Sequence, residues 1–264
     1  MQPRSRPPLR IEAQHARQVR AYVTELEWYA MPLLIEALPQ VYEDPADRAL
    51  DDMSILDRVL GLLRVRWLTE IATEERIAAD CEQIGRQLDL FSAGQMRSLL
   101  RSVAVQGWEA GGKVDRLMPF WVQEHTDLIS RGGMWRGKPI VPLGEQVIEQ
   151  IGGVVRDGFA AGARHEQIAK ALRERFEVGR SRATLIARDQ TNKLNGRLME
   201  EDFRAAGLSA YVWRTSRDER VRPTHAALEG TIQSWESPPS EGHPGQAIQC
   251  RCQAAPVRRL GAAR

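Results

Sequence analysis

Three side chains near the end of the sequence are of the types that bind a transition metal: His225, Cys250 and Cys252. Residues i and i+2 of a strand project from one face, so both sulfurs can approach one ion together with the imidazole. Zn²⁺ takes cysteine and histidine ligands in a tetrahedral site, and His243 is a candidate fourth ligand. Structural zinc sites more often separate their cysteines by two to four residues. The alternative is that two small buried thiols pack beneath a loop.

The residues before His225 offer a second kind of chemistry. Asp218 can cap the backbone amides of a turn, and Arg220 and Arg222 place positive charge next to it. His225 with Asp218 could therefore act in acid–base chemistry on a phosphodiester, with Arg220 stabilising the anionic transition state. Neither paired carboxylates nor a clear nucleophile–base spacing accompanies them. We therefore expect no catalytic residues and keep His225, Asp218 and Arg220 as the alternative.

Polar residues form a strip on one face of a predicted helix upstream of these motifs. Arg188, Asn192 and Asn195 follow one another at spacings of four and three, which places them on the same helix face. Amide side chains both donate and accept hydrogen bonds, and a guanidinium donates them. We predict that the strip fixes the backbone of the irregular Pro-rich loop 236–245. The alternative is a contact with a ligand or nucleic acid.

The elements that must position these residues change character along the C-terminal half. Apolar spacing predicts three helices, at 143–160, 165–176 and 179–206, and Gly207 is a C-terminal cap for the last. Aromatic and β-branched residues predict three strands, at 210–215, 231–235 and 248–257. The fold class is therefore α+β, with a mostly helical N-terminal region followed by helices packed on a small antiparallel sheet.

The first 130 residues are predicted to be helical. Apolar periodicity favours helices at Ile11–Leu38, with Pro32 as a kink or boundary, Asp47–Leu63, Val65–Leu90 and Gln95–Trp108, the last capped by Ser92. The Gly-rich stretch from Arg131 to Pro139 breaks both helix and strand. We therefore predict a helical N-terminal region at 1–130, a linker at 131–145 and a C-terminal domain at 146–258.

Charge is distributed unevenly between the two halves. Residues 1–130 carry 15 Lys and Arg against 20 Asp and Glu, whereas residues 131–264 carry 22 against 15. A basic half suits contact with a polyanion, and the alternative is that two domains simply differ. No apolar run approaches the roughly 20 residues of a membrane-spanning helix, and the start lacks the apolar core of a secretory signal. We therefore expect no membrane association and a place in a cytoplasm or in particles assembled there.

The block from about 150 to 257 resembles the phage Mu protein F-like, or phage head morphogenesis, family. The resemblance lies in the order and spacing of short pieces: the helix run 187–196, the strand 211–215, the segment 218–230, the Pro-Gly loop and the Cys-Arg-Cys motif. We assign a structural role to the motif residues, which are Arg188, Asp189, Asn195, Trp213, Asp218, Arg220, Pro223, His225, Gly230, Pro239, Cys250, Arg251 and Cys252.

This resemblance implies a minor capsid (head) protein of a tailed bacteriophage that is needed for head morphogenesis. The implied protein partners are portal, major capsid or scaffold proteins, to which residues 1–130 would dock. A further implied partner is packaged double-stranded DNA. The implied location is the virion head, assembled in the bacterial host cytoplasm, with no cofactor beyond the candidate Zn²⁺. Some members carry Cys where this chain has Arg222, which removes a potential fourth metal ligand. The alternative is a virion-carried nuclease-like or toxin-like enzyme domain, by analogy of fold alone.

Overall fold

The computed structural model describes residues 6–40, 51–103, 105, 108, 109, 111–135 and 138–257. Within these ranges the α-helices are α1 (Leu9–Gln40), α2 (Asp51–Arg66), α3 (Glu74–Arg101), α4 (Val114–Thr126), α5 (Leu143–Ala160), α6 (His165–Ala205) and α7 (Pro223–Ala227). The strands are β1 (Gly133–Trp135), β2 (Lys138–Ile140), β3 (Ala210–Arg214), β4 (Ile232–Ser234) and β5 (Gln253–Pro256). Helices dominate and the sheets are antiparallel, which confirms the predicted α+β class.

The chain divides into two compact units, each assembled from separate segments. The first unit takes in Met1–His15, Cys81–Trp121 and Ala187–Arg264, and the second takes in Ala16–Asp80 and Val122–Ile186. Four helices, α1, α3, α4 and α6, contribute residues to both units. The boundaries expected at 131–145 follow chain order instead, and they stay a prediction. In the structure that stretch holds the β1–β2 hairpin and the start of α5.

The second unit is tied together by two turns of π-helix. One turn, Trp67–Ile71, prolongs α2, and the other, Asp127–Arg131, prolongs α4. The buried indole of Trp67 donates a hydrogen bond to the carbonyl of Ile129 over 3.1 Å. These two turns therefore bond to each other in the interior, where an unpaired indole N–H would be costly.

The first unit is built on a three-stranded sheet in the order β4-β3-β5. The central strand β3 is antiparallel to both neighbours, with Val212 opposite Ile232 on one side and Ala255 on the other. Its aromatic residues are completely buried and pack with residues of α3 and α6, with the residue after β4 and with the segment before β5, namely Met96, Leu99, Met199, Phe203, Trp235, Cys250 and Cys252. The cysteine pair is thus part of this core.

Two helix predictions were wrong. The helices expected at 165–176 and from 179 to about 206 are one helix, α6, of 41 residues. Gly179 lies inside this helix and does not end it. A Cβ at this position would lie 2.8 Å from the side chain of Val147, so the glycine provides the room in which that side chain packs. Helix α3 likewise runs through Ser92, whose hydroxyl donates to Asp202 over 2.9 Å and caps nothing.

The other element predictions were closer to the structure. Helix α5 has the predicted bounds, and α1 continues through Pro32 instead of ending there. Residues 47–50 of one expected helix lie outside the described residues. The strand expected at 248–257 begins only at Gln253, because the amide of Cys250 closes a turn on the carbonyl of Ala247. Across the described part of the chain, no helix is long and apolar enough to cross a bilayer.

Candidate functional site

Helix α7 and the segment before β5 bring the three candidate metal ligands together. Pro223 occupies the first turn of α7, where its missing N–H loses no helical hydrogen bond, and His225 follows in the same turn. Cys250 and Cys252 come directly before β5, which is held on the central strand. The three side chains are only 2–4% exposed. They therefore meet in the interior of the first unit.

The imidazole of His225 faces two sulfurs with one nitrogen and a carboxylate with the other. Its Nδ1 lies 3.4 Å from Sγ of Cys252 and 3.6 Å from Sγ of Cys250. All three candidate ligand atoms lie within 4.8 Å of one another. Its Nε2 lies 3.3 Å from Oε2 of Glu241. An Nε2–H that donates to this carboxylate leaves the Nδ1 lone pair directed at the sulfurs.

Hydrogen bonds converge on the sulfur of Cys250. The backbone N–H groups of Gly245 and Cys252 each lie 3.4 Å from this atom. The pKa of Cys250 is lowered to about 6, because the Cys252 thiol and these two amides donate to its sulfur and outweigh the effect of burial. The pKa of Cys252 is raised, because it gives its hydrogen bond to Cys250 and is itself buried. The pair therefore favours one thiolate over two thiols.

His243, the candidate fourth ligand, has other contacts. Its Nδ1 lies 3.0 Å from the hydroxyl of Tyr211, and its ring packs against Trp235 at 4.9 Å between centroids. Burial lowers the pKa of His243 and favours the neutral ring. The group of side chains that converges on one point consists of His225 and the two cysteines. The structure thus does not place His243 with them.

A cavity of about 120 Å³ opens onto the three candidate ligands. Besides these ligands its wall contains Ser216, Val221 and Gln249, and four arginines, which are Arg188, Arg220, Arg222 and Arg251. No acidic side chain belongs to this described wall. The cavity therefore presents guanidinium groups beside a cluster of soft ligand atoms.

The four arginines are not all neutralised. Arg188 pairs with Glu12 over 2.6 Å, and Arg251 pairs with Asp218 over 2.7 Å. Arg222 donates to the backbone carbonyl of Ile248 over 2.6 Å and has no carboxylate partner within the described ranges. The exposed guanidinium of Arg220 has no hydrogen-bond or ion-pair partner among the described residues. The wall therefore retains a net positive charge, which favours anions.

The residues of the catalytic alternative are not joined as an acid–base pair. Asp218 accepts the amide of Arg220 over 3.0 Å, which is the predicted capping role, and it also holds Arg251. Both ring nitrogens of His225 face other groups, the sulfurs and Glu241. A general base needs a free nitrogen within reach of a substrate proton. The arrangement around His225 therefore favours a ligand role over proton transfer.

The polar strip on α6 makes a different set of contacts from the expected one. The side chains of Arg188 and Asn192 donate to the carboxylate of Glu12 on α1, over 2.6 Å and 3.4 Å. Asn195 is buried, and its Oδ1 has no hydrogen-bond partner among the described residues. One residue of the motif does fix the C-terminal loop, because Asp189 accepts the amide of Gln249 over 2.7 Å.

Close packing of backbones fixes the Pro-rich loop on α6. A Cβ at Gly196 would lie 2.6 Å from the carbonyl oxygen of Pro244. A Cβ at Gly245, where φ is +88°, would lie 2.8 Å from the carbonyl oxygen of Asn192. Two glycines therefore allow the loop and the helix to touch. Since Gly245 also donates to Cys250, this contact fixes the cysteine pair relative to α6.

The remaining motif residues shape the turn that carries α7. Glu229 accepts hydrogen bonds from the amide and hydroxyl of Thr215 and pairs with Arg217. Although burial opposes it, these donors lower the pKa of Glu229 to about 2. The amide of Gly230 donates to the carbonyl of Trp213, whose ring contacts His225 at 5.4 Å between centroids. Pro239 lies in the loop, where its carbonyl accepts the amide of Gly242.

Sequence reasoning missed three residues that organise this site. Glu241 and Gly196 were present in the motifs but were given no role, although a carboxylate near a candidate histidine ligand is a signal for an orienting hydrogen bond. Glu12 gave no signal, because its contact with Arg188 joins residues 176 positions apart. A single sequence does not encode such pairings in any local pattern.

Comparison with known proteins finds a family match for the C-terminal part of the chain. A family model described as "Phage Mu protein F like protein" matches residues 149–255. An uncharacterized protein of Haemophilus influenzae is 33% identical over 119 residues, 45% of this chain and 27% of the relative. No solved structure gives a significant match.

A second relative extends the similarity beyond the family match. An uncharacterized protein of Methanocaldococcus jannaschii is 33% identical over 205 residues, 74% of this chain. The chain spans 30% of that protein's length, so both relatives are much longer than the aligned parts. The family match contains His225, both cysteines and the Gly196–Gly245 contact. Over residues 149–255 this chain is therefore similar to the family of phage Mu protein F like proteins.

Proposed function

We propose that the chain is a minor head protein of a tailed bacteriophage and takes part in head morphogenesis. The observation that carries this proposal is the family match over residues 149–255. The helical segments before that region would dock to portal, major capsid or scaffold proteins in the head. The protein would assemble in the bacterial host cytoplasm and remain in the virion.

We further propose that the first unit contacts packaged DNA through the phosphate backbone. The cavity wall carries four arginines, and two of them, Arg220 and Arg222, have no carboxylate partner in the described structure. Arginine binds phosphate oxygens through paired N–H groups, and such contacts do not depend on base sequence. The basic balance of residues 131–264 adds to the attraction.

The particle itself provides the first test. In a phage that encodes the chain, deletion of its gene should reduce the yield of DNA-filled heads, and mature heads should contain the protein. Heads that are normal in number and lack the protein would refute the virion role.

The enzyme alternative predicts nuclease activity that is lost in His225→Ala. Assays on RNA and DNA with Zn²⁺ or Mg²⁺ that stay flat would remove that alternative.

DNA contact is tested by one arginine variant and a matched control. Arg220→Ala should weaken binding to duplex DNA and make the slope of log K against log salt shallower by about 0.9, the value for one lost phosphate contact. Arg86→Ala removes the same charge from an exposed ion pair on α3 that does not line the cavity, and should leave the slope unchanged. Equal effects of the two variants would show that only net charge matters.

A further inference from the structure

We propose that Nδ1 of His225 and the sulfurs of Cys250 and Cys252 bind one Zn²⁺ ion whose fourth coordination position opens into the arginine-lined cavity. The inference does not rest on the virion role, since it follows from the side chains alone. The site would lock α7, the Pro-rich loop and the segment before β5 together. It would also place a cation beside a surface that favours anions.

The two distances from Nδ1 of His225 to the sulfurs are those of ligands around a common metal. With Zn–S near 2.3 Å and Zn–N near 2.0–2.1 Å, tetrahedral angles put a nitrogen and a sulfur ligand about 3.6 Å apart. The observed separations from Nδ1 are 3.4 Å to Cys252 and 3.6 Å to Cys250. The two nitrogen–sulfur separations thus match those of zinc ligands, and all three ligand atoms lie within 4.8 Å of one another.

Simple packing explains the arrangement less well. The Nδ1 lone pair can accept one hydrogen bond, yet two sulfurs lie within reach of it. Two backbone amides also donate to Cys250, which suits a thiolate better than a thiol. A metal ion accepts the lone pair and both sulfurs together, so it satisfies every group at once.

The surroundings of the ligands match those of metal sites. The carboxylate of Glu241 lies on the far nitrogen of His225, where metal-binding histidines commonly donate to a carboxylate that fixes their orientation. All three ligands also belong to the wall of the same cavity. A site with three protein ligands and one open position can exchange its fourth ligand. Water or an anionic oxygen would take that position here.

Metal analysis of the full chain tests the stoichiometry. The protein purified from zinc-supplemented cells should contain one equivalent of zinc, and the Co²⁺-substituted protein should show a sulfur-to-cobalt charge-transfer band. Cys250→Ser and Cys252→Ser should each weaken or abolish the band. Cys81→Ala removes the third thiol, which is buried on α3, and this variant should retain the charge-transfer band. Absence of zinc and of the band from the folded parent protein would overturn the proposal.

A positioning variant keeps the test open if the cysteine variants do not fold. Glu241→Gln retains all three ligands and should lower zinc affinity by roughly 10-fold to 100-fold in competition with a chelator. Glu236→Gln changes an exposed residue of the same loop and should leave affinity unchanged. Equal affinities for Glu241→Gln and the parent protein would refute the orienting role of Glu241.

Two further measurements separate the proposal from its rivals. Titration of thiols in denaturant should give three free thiols per chain once zinc is removed. One thiol would indicate a Cys250–Cys252 disulfide and overturn the metal site. Inorganic phosphate should shift the visible bands of the Co²⁺ protein, because it can enter the fourth position. Bands that do not respond would show that this position is closed.

Discussion

Replacement of Gly196 by alanine tests whether close backbone contact holds the Pro-rich loop. The new Cβ would lie 2.6 Å from the carbonyl oxygen of Pro244, and neither atom belongs to a flexible side chain. The loop would have to retreat by about 0.8 Å, from 2.6 Å to 3.4 Å, to restore an ordinary contact. That movement would also pull Gly245 away from its hydrogen bond to Cys250.

The expected magnitude combines two opposing effects. Alanine in a helix gains up to about 1 kcal/mol over glycine. Overpacking costs about 1–3 kcal/mol, and a clash with backbone atoms belongs to the upper part of that range, about 2–3 kcal/mol. Gly196→Ala should therefore lower the free energy of unfolding by about 1–2 kcal/mol. Gly94→Ala is the matched control, because Gly94 lies on α3 in the same unit with open space around its Cα. It should gain up to about 1 kcal/mol.

Urea unfolding followed by circular dichroism measures both variants. The two should move the midpoint in opposite directions, and melting temperatures should follow at roughly 2–4 °C per kcal/mol. If Gly196→Ala were as stable as Gly94→Ala, moving the loop away from α6 would cost no measurable free energy. The inference that the glycine pair fixes the cysteine segment on α6 would then be wrong.

Two further predictions concern charged groups of the first unit. Glu229→Gln should lower stability at pH 7 by about 1.5–3 kcal/mol, since it loses charged hydrogen bonds to Thr215. The pKa of Glu229 is lowered from 4.5 to about 2, so the contribution of its carboxylate to stability is complete above pH 4.5 and is lost as the pH falls towards 2. The urea midpoints of variant and parent should therefore converge at about pH 2. Lys113→Ala should lower the free energy of unfolding, measured by thermal denaturation, by about 3–5 kcal/mol. The reason is that the carboxylate of Asp202, which is only 2% exposed, loses the ammonium group that lies 2.8 Å from it. Lys113→Met with Asp202→Leu should recover most of that loss, and a double variant as unstable as the single one would contradict the reasoning.

The sequence predicted the types of residue at the site better than their partners. The prediction that His225 and both sulfurs approach one point is confirmed, although its premise was wrong, because Cys250 and Cys252 precede β5 instead of sharing a strand face. The polar strip was assigned to the wrong target. Its main acceptor, Glu12, is a tertiary contact between distant segments that no periodicity reports.

Helix boundaries show the same limit in another form. Helix α5 was predicted because its apolar stripe follows the helical period along its whole length. The break expected near Gly179 failed because glycine has two meanings in a helix, a stop or a place of close packing. Only the position of Val147 against it decides between them, and that is a property of the folded chain.

The division of the first unit among three stretches of chain has a consequence for its biosynthesis. Its sheet is completed by β5, at residues 253–256, and its helix α6 is held by Glu12 near the other end. A ribosome releases the first helix long before that last strand appears. Contacts of such sequence separation form slowly, since the intervening chain must close into a loop first. The second unit can form once residue 186 has left the ribosome, whereas the first cannot complete its sheet until β5 has followed.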